Sequence, residues 1–173
     1  MRRAALILVP LLAGGCGGGG GGGTISARRL DDLVLQPADV STSFRHVFIR
    51  TLTGAPQLTV RYTRAAAPTT HGPQVIESSV HVFGSHRAAD AGVDDELAAL
   101  RRRPGWMPID EPGVGDESFA GTLVRGGVRY YEVFWRDSNA TASLHVNGFE
   151  QRLPLADVLE LARKQQRRIA QAG

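Results

Sequence analysis

Two polar segments in the second half of the chain carry side chains that could support hydrolysis. Gly115-Asp116-Glu117-Ser118 offers two carboxylates and a hydroxyl, and His145 follows in a later segment. A carboxylate beside an imidazole can move protons in a hydrolase, so Asp116 or Glu117 with His145 is one candidate catalytic set. The Gly-x-Ser-x-Gly elbow that presents a serine nucleophile does not occur in the sequence. We therefore favour a solvated turn at residues 115–118 over an active site.

The segment around His145 alternates between apolar and polar residues. Ala140, Ala142, Leu144 and Val146 alternate there with Thr141, Ser143, His145 and Asn147. This pattern is typical of a strand that packs one face on a core and turns the other to water. We expect His145 on the open face, among small polar neighbours and without the orienting partner that a catalytic histidine needs. The pattern thus favours a non-enzymatic protein.

Other polar residues give no clear metal or modification site. His81 and His86 are five residues apart, but they straddle the end of a predicted strand and the start of a predicted helix. Because neither has a second ligand at a metal-like interval, we predict no metal and no cofactor. Asn139-Ala140-Thr141 matches a glycosylation acceptor, a three-residue pattern that is frequent by chance.

The charge balance does not indicate nucleic-acid binding. The chain has 20 basic and 17 acidic residues, but Arg2 and Arg3 lie in its first 15 residues, and without them the net charge is only about +1. Nucleic-acid binding needs a clustered basic face. The basic group near the end of the chain comprises Arg163, Lys164, Arg167 and Arg168. We expect it to complement the negative end of a helix dipole rather than to bind lipid headgroups.

Aromatic residues crowd one segment, which contains Tyr130, Tyr131, Phe134 and Trp135, and Trp106 lies earlier in the chain. They could line an apolar pocket between a sheet and a helix, but such residues are more often part of a core. A carrier of a small apolar ligand is therefore kept as an alternative.

The start of the chain has the layout of an export signal. Met1-Arg2-Arg3 is followed by a mostly apolar stretch, Ala4–Ala13, which is too short for a membrane-spanning helix of roughly 20 residues. A charged start, a short apolar core and small residues at the exit are typical of signal peptides. Cys16, the single cysteine, comes next and precedes the flexible tract Gly17–Gly23. The arrangement favours Cys16 as a lipid attachment point.

Leu11-Leu12-Ala13-Gly14-Gly15-Cys16 resembles the end of a bacterial lipoprotein signal. In that family a small residue precedes the cysteine, the thiol receives a diacylglyceryl group, and the signal is cut immediately before it. Gly14 and Gly15 fit this pattern, whereas Ala13 stands where leucine is usual. The resemblance implies a signal peptide at 1–15, a lipidated Cys16 with a glycine-rich tether through residue 29, and anchorage at the extracytoplasmic face of the cell membrane.

The remaining residues, 30–173, predict a single α+β domain. Strands are predicted at His46–Leu52, Gln57–Thr63, Val75–Phe83, Ser118–Val124, Val128–Trp135 and Ala140–Val146, with helices after Ser85 and after Pro154. Tight turns between strands require antiparallel pairing, so we expect an antiparallel sheet of about five or six strands with two helices packed on it. This element order is faintly similar to the extrinsic P-subunit family of photosystem II and related bacterial lipoproteins.

Together these features predict an exported, lipid-anchored bacterial envelope protein that acts as a non-enzymatic binding or scaffolding module. The expected partners are the membrane, through Cys16, and an envelope protein or small apolar ligand. Two alternatives stay open, an exported hydrolase that uses Asp116, Glu117 or His145, and the apolar-ligand carrier.

If Cys16 is acylated, protein extracted from membranes should begin at Cys16 and carry added lipid mass. Stable residence in a membrane needs two or more acyl chains, because one chain binds only marginally. Intact-mass spectrometry tests this expectation, with Cys16→Ser as the control that should not retain the lipid. An unmodified Cys16 thiol on membrane-associated protein would contradict it.

Overall fold

The computed structural model describes residues 24–49, 56–110 and 112–173. The predicted signal peptide, Cys16, the glycine tract and most of the predicted turn at 53–56 lie outside these residues. Seven strands are formed: β1 (Arg45–Ile49), β2 (Gln57–Thr63), β3 (Val75–Val82), β4 (Met107–Ile109), β5 (Glu117–Arg125), β6 (Val128–Asp137) and β7 (Ala140–Phe149). They make one sheet in the order β1-β2-β3-β7-β6-β5-β4, and every neighbouring pair is antiparallel.

The α+β class and the antiparallel sheet are confirmed, but the sheet has seven strands where five or six were expected. The additional strand is β4, which pairs with β5 at one edge. It has only three residues, and one of them is Pro108. Proline is tolerated at a sheet edge because the outer N–H there needs no partner. So short a segment has no room for an alternating pattern, and the sequence therefore did not predict it.

Three α-helices are described, namely α1 (Leu30–Leu33), α2 (His86–Arg101) and α3 (Leu155–Ala170). The two long helices were expected, and α2 begins as predicted, with Ser85 Oγ accepting a hydrogen bond from the backbone N–H of Ala88 at 3.2 Å. Short 3₁₀ helices occupy Ala27–Arg29, Pro37–Asp39 and Glu150–Arg152. No helix among the described residues has the length and apolar character needed to cross a membrane.

The long helices lie on opposite faces of the sheet. Gln165 of α3 accepts a hydrogen bond from Ser78 of β3 at 2.8 Å, and α1 contacts the same helix. Asp90 of α2 pairs at 2.8 Å with Arg136 of β6. These two contacts lie on different faces of the sheet. Ser78 is opposite Leu144, which is opposite Val133, so the side chains of these three residues share one face. Arg136 is three residues from Val133 along β6, and its side chain therefore points to the other face. We call the α3 side the core face and the α2 side the polar face.

The core face carries the main hydrophobic core. Its most deeply buried apolar strand residues, each at most 1% exposed, are Val60, Tyr62, Ile76, Val80, Ala120, Val133, Trp135, Ala140 and Leu144. Helix α3 covers them with Val158, Ala162 and Ile169. Alternate positions along each strand therefore supply one continuous apolar layer.

A buried polar network joins this core to the start of the domain. Ser78 is fully buried; its hydroxyl donates to Gln165 and accepts the backbone N–H of Leu35 at 2.9 Å. The Tyr62 hydroxyl donates to the Leu35 carbonyl at 2.7 Å. Burial raises the pKa of Tyr62 to about 12, which keeps this donor protonated. All these polar groups are satisfied, as burial requires.

The packed region includes residues upstream of Leu30. Ile25 is 2% exposed and belongs to the core. Its backbone N–H donates to Asn139 Oδ1 at 2.8 Å, and its carbonyl accepts from Asn139 Nδ2 at 3.1 Å. This part of the segment assigned to the tether, residues 16–29, thus lies against the turn between β6 and β7.

Replacing Ser78 by alanine should lower the free energy of unfolding by about 1–3 kcal/mol, because it leaves the Leu35 N–H and Gln165 Oε1 buried without a partner. Denaturant unfolding measures the loss, and the exposed Ser43→Ala variant serves as the control. A loss at Ser78 no larger than that of the control would mean that the network contributes nothing to stability.

Candidate functional site

Four ionisable side chains form a row across the polar face. Arg61 of β2 is level with Glu77 of β3, Glu77 with His145 of β7, and His145 with Glu132 of β6. Because side chains of directly opposed residues lie about 5 Å apart, the register alone brings the four groups into contact. We call this set the charged row.

The row consists of two close pairs. Arg61 binds Glu77, and His145 Nδ1 lies 3.4 Å from Glu132 Oε1. The guanidinium of Arg103, just beyond the C-terminal end of α2, also binds Glu132 Oε1. Glu132 is therefore the point where the sheet and the α2 end are linked by charge.

Glu132 is the most buried member of the row, with 7% of the residue exposed. Burial raises its pKa, but the hydrogen bonds and charges of His145 and Arg103 outweigh that effect and hold the pKa below the ordinary value of 4.5. The group is consequently ionised near neutral pH. Its second oxygen, Oε2, is buried and makes no hydrogen bond within the described part of the chain. An ionised oxygen without a donor is costly in such surroundings.

The charged row lies in an open cleft of about 330 Å³. Thr63, Tyr130 and Asn147 add further polar groups to its lining. The volume falls at the lower end of the range of about 300–1,000 Å³ that is typical of small-molecule sites. We call this feature the charged cleft.

The expectation that the face of His145 is open, with only small polar neighbours, is wrong. His145 is paired with a carboxylate in a cleft, and its side chain is 34% exposed. Ser143 on the same face is 8% exposed. The reason is α2, which packs across the polar face and turns part of it into an interior surface. Alternation along β7 separates two faces, but it does not tell whether a helix covers the polar one.

The acidic segment at 115–118 serves a different contact. Asp116 binds Arg136 at 3.0 Å and accepts the backbone N–H of Ser138 at 3.2 Å, while Ser118 Oγ accepts the N–H of Val114 at 3.2 Å. Glu117 is level with Arg136, four residues along β6 from Glu132, which corresponds to about 13 Å of strand. The structure therefore does not bring Asp116 or Glu117 to His145.

The other polar candidates are also separate from the row. The His81 ring contacts the Phe83 ring in a tilted arrangement, with centroids 3.9 Å apart. His86 is the first residue of α2. Among the described residues no three metal-ligating side chains form a group. Asn139, of the glycosylation pattern, is 1% exposed and holds the backbone of Ile25. In the basic group of α3, Arg168 pairs with Asp39 at 2.8 Å.

The clustered aromatic residues divide between the two faces. Tyr131 and Trp135 point to the core face, whereas Phe134 shares the polar face with His145, in edge contact at 5.4 Å. Trp106 lies against Gly121 of β5, where any Cβ would overlap the indole. The aromatic residues of β6 therefore do not line one common pocket.

Sequence reasoning missed Glu132 and Arg103. Glu132 is the one acidic residue inside the aromatic run 130–135, and a carboxylate in a segment expected to be buried requires a partner. That signal was present but did not identify the partner. Arg103 follows the predicted helix after Ser85, where a cation suits the negative end of the helix dipole. The sequence does not say where that end lies on the sheet.

Comparisons with known proteins support the fold alone. No family model matches the chain, and no curated protein matches it. The extracellular domain of PknH from Mycobacterium tuberculosis is structurally similar, with a TM-score of 0.58 and 12% sequence identity, over 87% of this chain and 97% of that domain.

Replacing Glu132 by glutamine should lower the free energy of unfolding at pH 7 by about 1.5–3 kcal/mol, because hydrogen bonds to a charged group are lost. The ionised Glu132 carboxylate stabilises the folded protein fully at pH values above its pKa in the unfolded chain, near 4.5. This stabilisation is lost as the pH falls through the lower pKa that Glu132 has in the folded protein. The difference between the variant and the wild type should therefore shrink in acid.

Denaturant unfolding at a series of pH values measures this difference. Glu77→Gln is the matched control, since Glu77 lies in the same row but its side chain is 26% exposed, against 9% for Glu132. The more exposed pair should cost less than about 1 kcal/mol. Equal losses for the two variants, or a Glu132 loss that is constant with pH, would contradict the assignment.

Proposed function

We propose that this chain is an exported, lipid-anchored envelope protein whose α+β domain is a non-enzymatic module that binds a small polar ligand in the charged cleft. The observation that carries the proposal is Glu132, a buried and ionised carboxylate with one oxygen that has no hydrogen-bond donor in the described part of the chain. That oxygen is buried, so a ligand that donates an N–H or O–H would satisfy it once the neighbouring side chains move to admit the donor.

Export and anchorage are supported by the start of the sequence. The charged start, the apolar stretch Ala4–Ala13 and the Gly14-Gly15-Cys16 exit together have the layout of a lipoprotein signal. The fold is also that of a domain described as extracellular in PknH. Lipid anchorage at Cys16 would hold the domain at the extracytoplasmic face of the cell membrane.

The cleft suits a polar ligand better than an apolar one. Arg61, Glu77, Glu132 and His145 contribute ionisable groups to its lining. An apolar ligand would bury these groups without replacing their contacts with water, which costs free energy. The carrier of an apolar ligand is therefore not favoured at this site.

A second candidate function, hydrolysis, is favoured by one observation. His145 Nδ1 faces Glu132 at 3.4 Å, an arrangement that can orient an imidazole as a general base. A nucleophilic enzyme also needs a hydroxyl or thiol hydrogen-bonded to that base. Within the described residues no hydroxyl or thiol is bonded to His145. We therefore place binding before catalysis.

A thermal-shift screen of small amines, amino acids and polyols against the purified full-length chain tests the proposal. At least one compound should raise the melting temperature of the wild type, since any ligand of the folded state stabilises it. The shift should be lost in Glu132→Gln and retained in Glu77→Gln, with circular dichroism to show that both variants fold.

Parallel assays with chromogenic ester, phosphate and peptide substrates separate the two candidates. We expect no turnover by the wild type above that of His145→Asn. Turnover that disappears in His145→Asn and in Glu132→Gln would replace the binding module by a hydrolase. A ligand shift that persists in Glu132→Gln would move the binding site elsewhere.

A further inference from the structure

A second cavity, distinct from the charged cleft, lies between α2 and the polar face. It measures about 340 Å³, again at the lower end of the range for small-molecule sites. We call it the α2 crevice. Its polar lining comes from Gln57 of β2, Ser79 and His81 of β3, and Thr141 and Ser143 of β7. Cross-strand register sets these residues side by side, with Gln57 level with His81, and Ser79 level with Ser143.

Several of these polar side chains have no protein partner. Gln57, Thr141 and Ser143 make no side-chain hydrogen bond to any residue in the described ranges, although Ser79 bonds to Thr59 at 2.8 Å. Ser143 is only 8% exposed. Gln57 and Thr141 are half-buried. The hydrogen-bonding groups of all three residues converge on one cavity, where a ligand that offers both donors and acceptors would pair with them.

The crevice is almost without charge. Burial lowers the pKa of His81 below its ordinary value of 6.5, so the ring is neutral near pH 7 and offers one donor and one acceptor. Among the described residues of the lining, Glu96 of α2 is the one that is charged at neutral pH. None of the described lining residues is a cation that could hold a phosphate or a carboxylate, so the lining favours a neutral ligand over an anionic one.

The apolar part of the wall combines aromatic residues with the aliphatic residues Val80, Val93 and Ala142. Phe134 lies on the sheet side, and Phe83 lies where the chain turns toward α2. Gly92 of α2 lies against Phe83, and a Cβ there would come within 2.8 Å of the Phe83 ring. Glycine at this position thus permits the close approach of the helix. Hydroxyl and amide groups beside an aromatic face match a sugar ring, which has hydroxyls on its rim and C–H groups on its faces.

We propose that the α2 crevice binds a neutral saccharide. One pyranose ring would exchange hydrogen bonds with Thr141, Ser143 and Gln57. It would place its C–H groups against the part of the Phe134 ring that Phe119, stacked on it at 5.3 Å, leaves open. Glu96 would accept from a further sugar hydroxyl, a charge-assisted hydrogen bond stronger than a neutral one. This site and its ligand are independent of the charged cleft.

Titration of the full-length, isotope-labelled chain with single sugars tests the inference by NMR. The probes are the methyl glycosides of glucose, galactose, mannose and N-acetylglucosamine, with ethanolamine as a cationic and cyclohexanol as an apolar comparison. At least one glycoside should give saturable shifts confined to α2 residues 92–96 and β7 residues 141–143. The two comparison compounds should not.

Variants then locate the contacts. Thr141→Val with Ser143→Ala should weaken binding at least about tenfold, equivalent to ~1.4 kcal/mol. Thr63→Val is the matched control, because it removes a hydroxyl from the same sheet face but in the charged cleft, and binding should be unchanged. Should the double variant fail to fold, Gln57→Ala at the rim of the crevice provides the same test.

Three outcomes would overturn the inference. The first is that no glycoside gives saturable shifts at about 10 mM. The second is that cyclohexanol or ethanolamine binds more tightly than any sugar. The third is that sugar binding survives the crevice variants but is lost in Glu132→Gln. The last outcome would assign the sugar to the charged cleft, whereas failure of the charged-cleft ligand screen alone would leave the crevice inference intact.

Discussion

Strands β3 and β7 are joined in antiparallel register from Val75 opposite Asn147 to Val82 opposite Ala140. This pairing joins the two halves of the sheet, β1-β2-β3 and β4-β5-β6-β7. Within each half, every pair of adjacent strands is also consecutive in the sequence. It places Ser78 beside Leu144 on the core face, and Glu77 beside His145 on the polar face. Because side chains alternate along a strand, a slip of one residue would exchange the two faces of β3 relative to β7. The buried core network and the charged row therefore depend on the same backbone hydrogen bonds.

Helix α2 determines what the polar face can do. It is linked to the sheet by charge near both ends, through Asp90 and Arg136 and, just past its last residue, through Arg103 and Glu132. The side chains of Asp90 and Arg103 are 54% and 41% exposed. Water therefore screens both ion pairs, and the attraction within each pair stabilises the fold less than it would in a fully buried pair. The sheet-side partners are less exposed, at 17% of the side chain for Arg136 and 9% for Glu132. Removing Arg103 would accordingly cost stability mainly by leaving Glu132 with a single partner.

The sequence predicted those parts of the fold whose signal is local. Alternation in Gln57–Thr63 and Ala140–Val146 identified two strands that the structure contains, and the N-cap at Ser85 identified the start of α2. The short edge strand β4 has no such signal. The sequence also has no local signal for the side of the sheet on which α2 packs. That side depends on the path of the chain between β3 and β4 and not on any one residue. The polar row of β7 was therefore interpreted as open surface, and the pairing of His145 with Glu132 was missed.

The same polar row explains why cavities remain under α2. The helix buries only Ala89, Val93 and Leu100 among its own residues. Over the crevice it packs on hydroxyl, amide and imidazole groups beside aromatic rings, with few branched apolar side chains. Apolar layers interdigitate to high density, as α3 does on the core face with Val158, Ala162 and Ile169. Short polar side chains such as Ser79, Thr141 and Ser143 fill less space and must keep their hydrogen-bonding groups accessible to a partner. The sheet thus has one face that is packed for stability, and another whose incomplete packing provides space for a ligand.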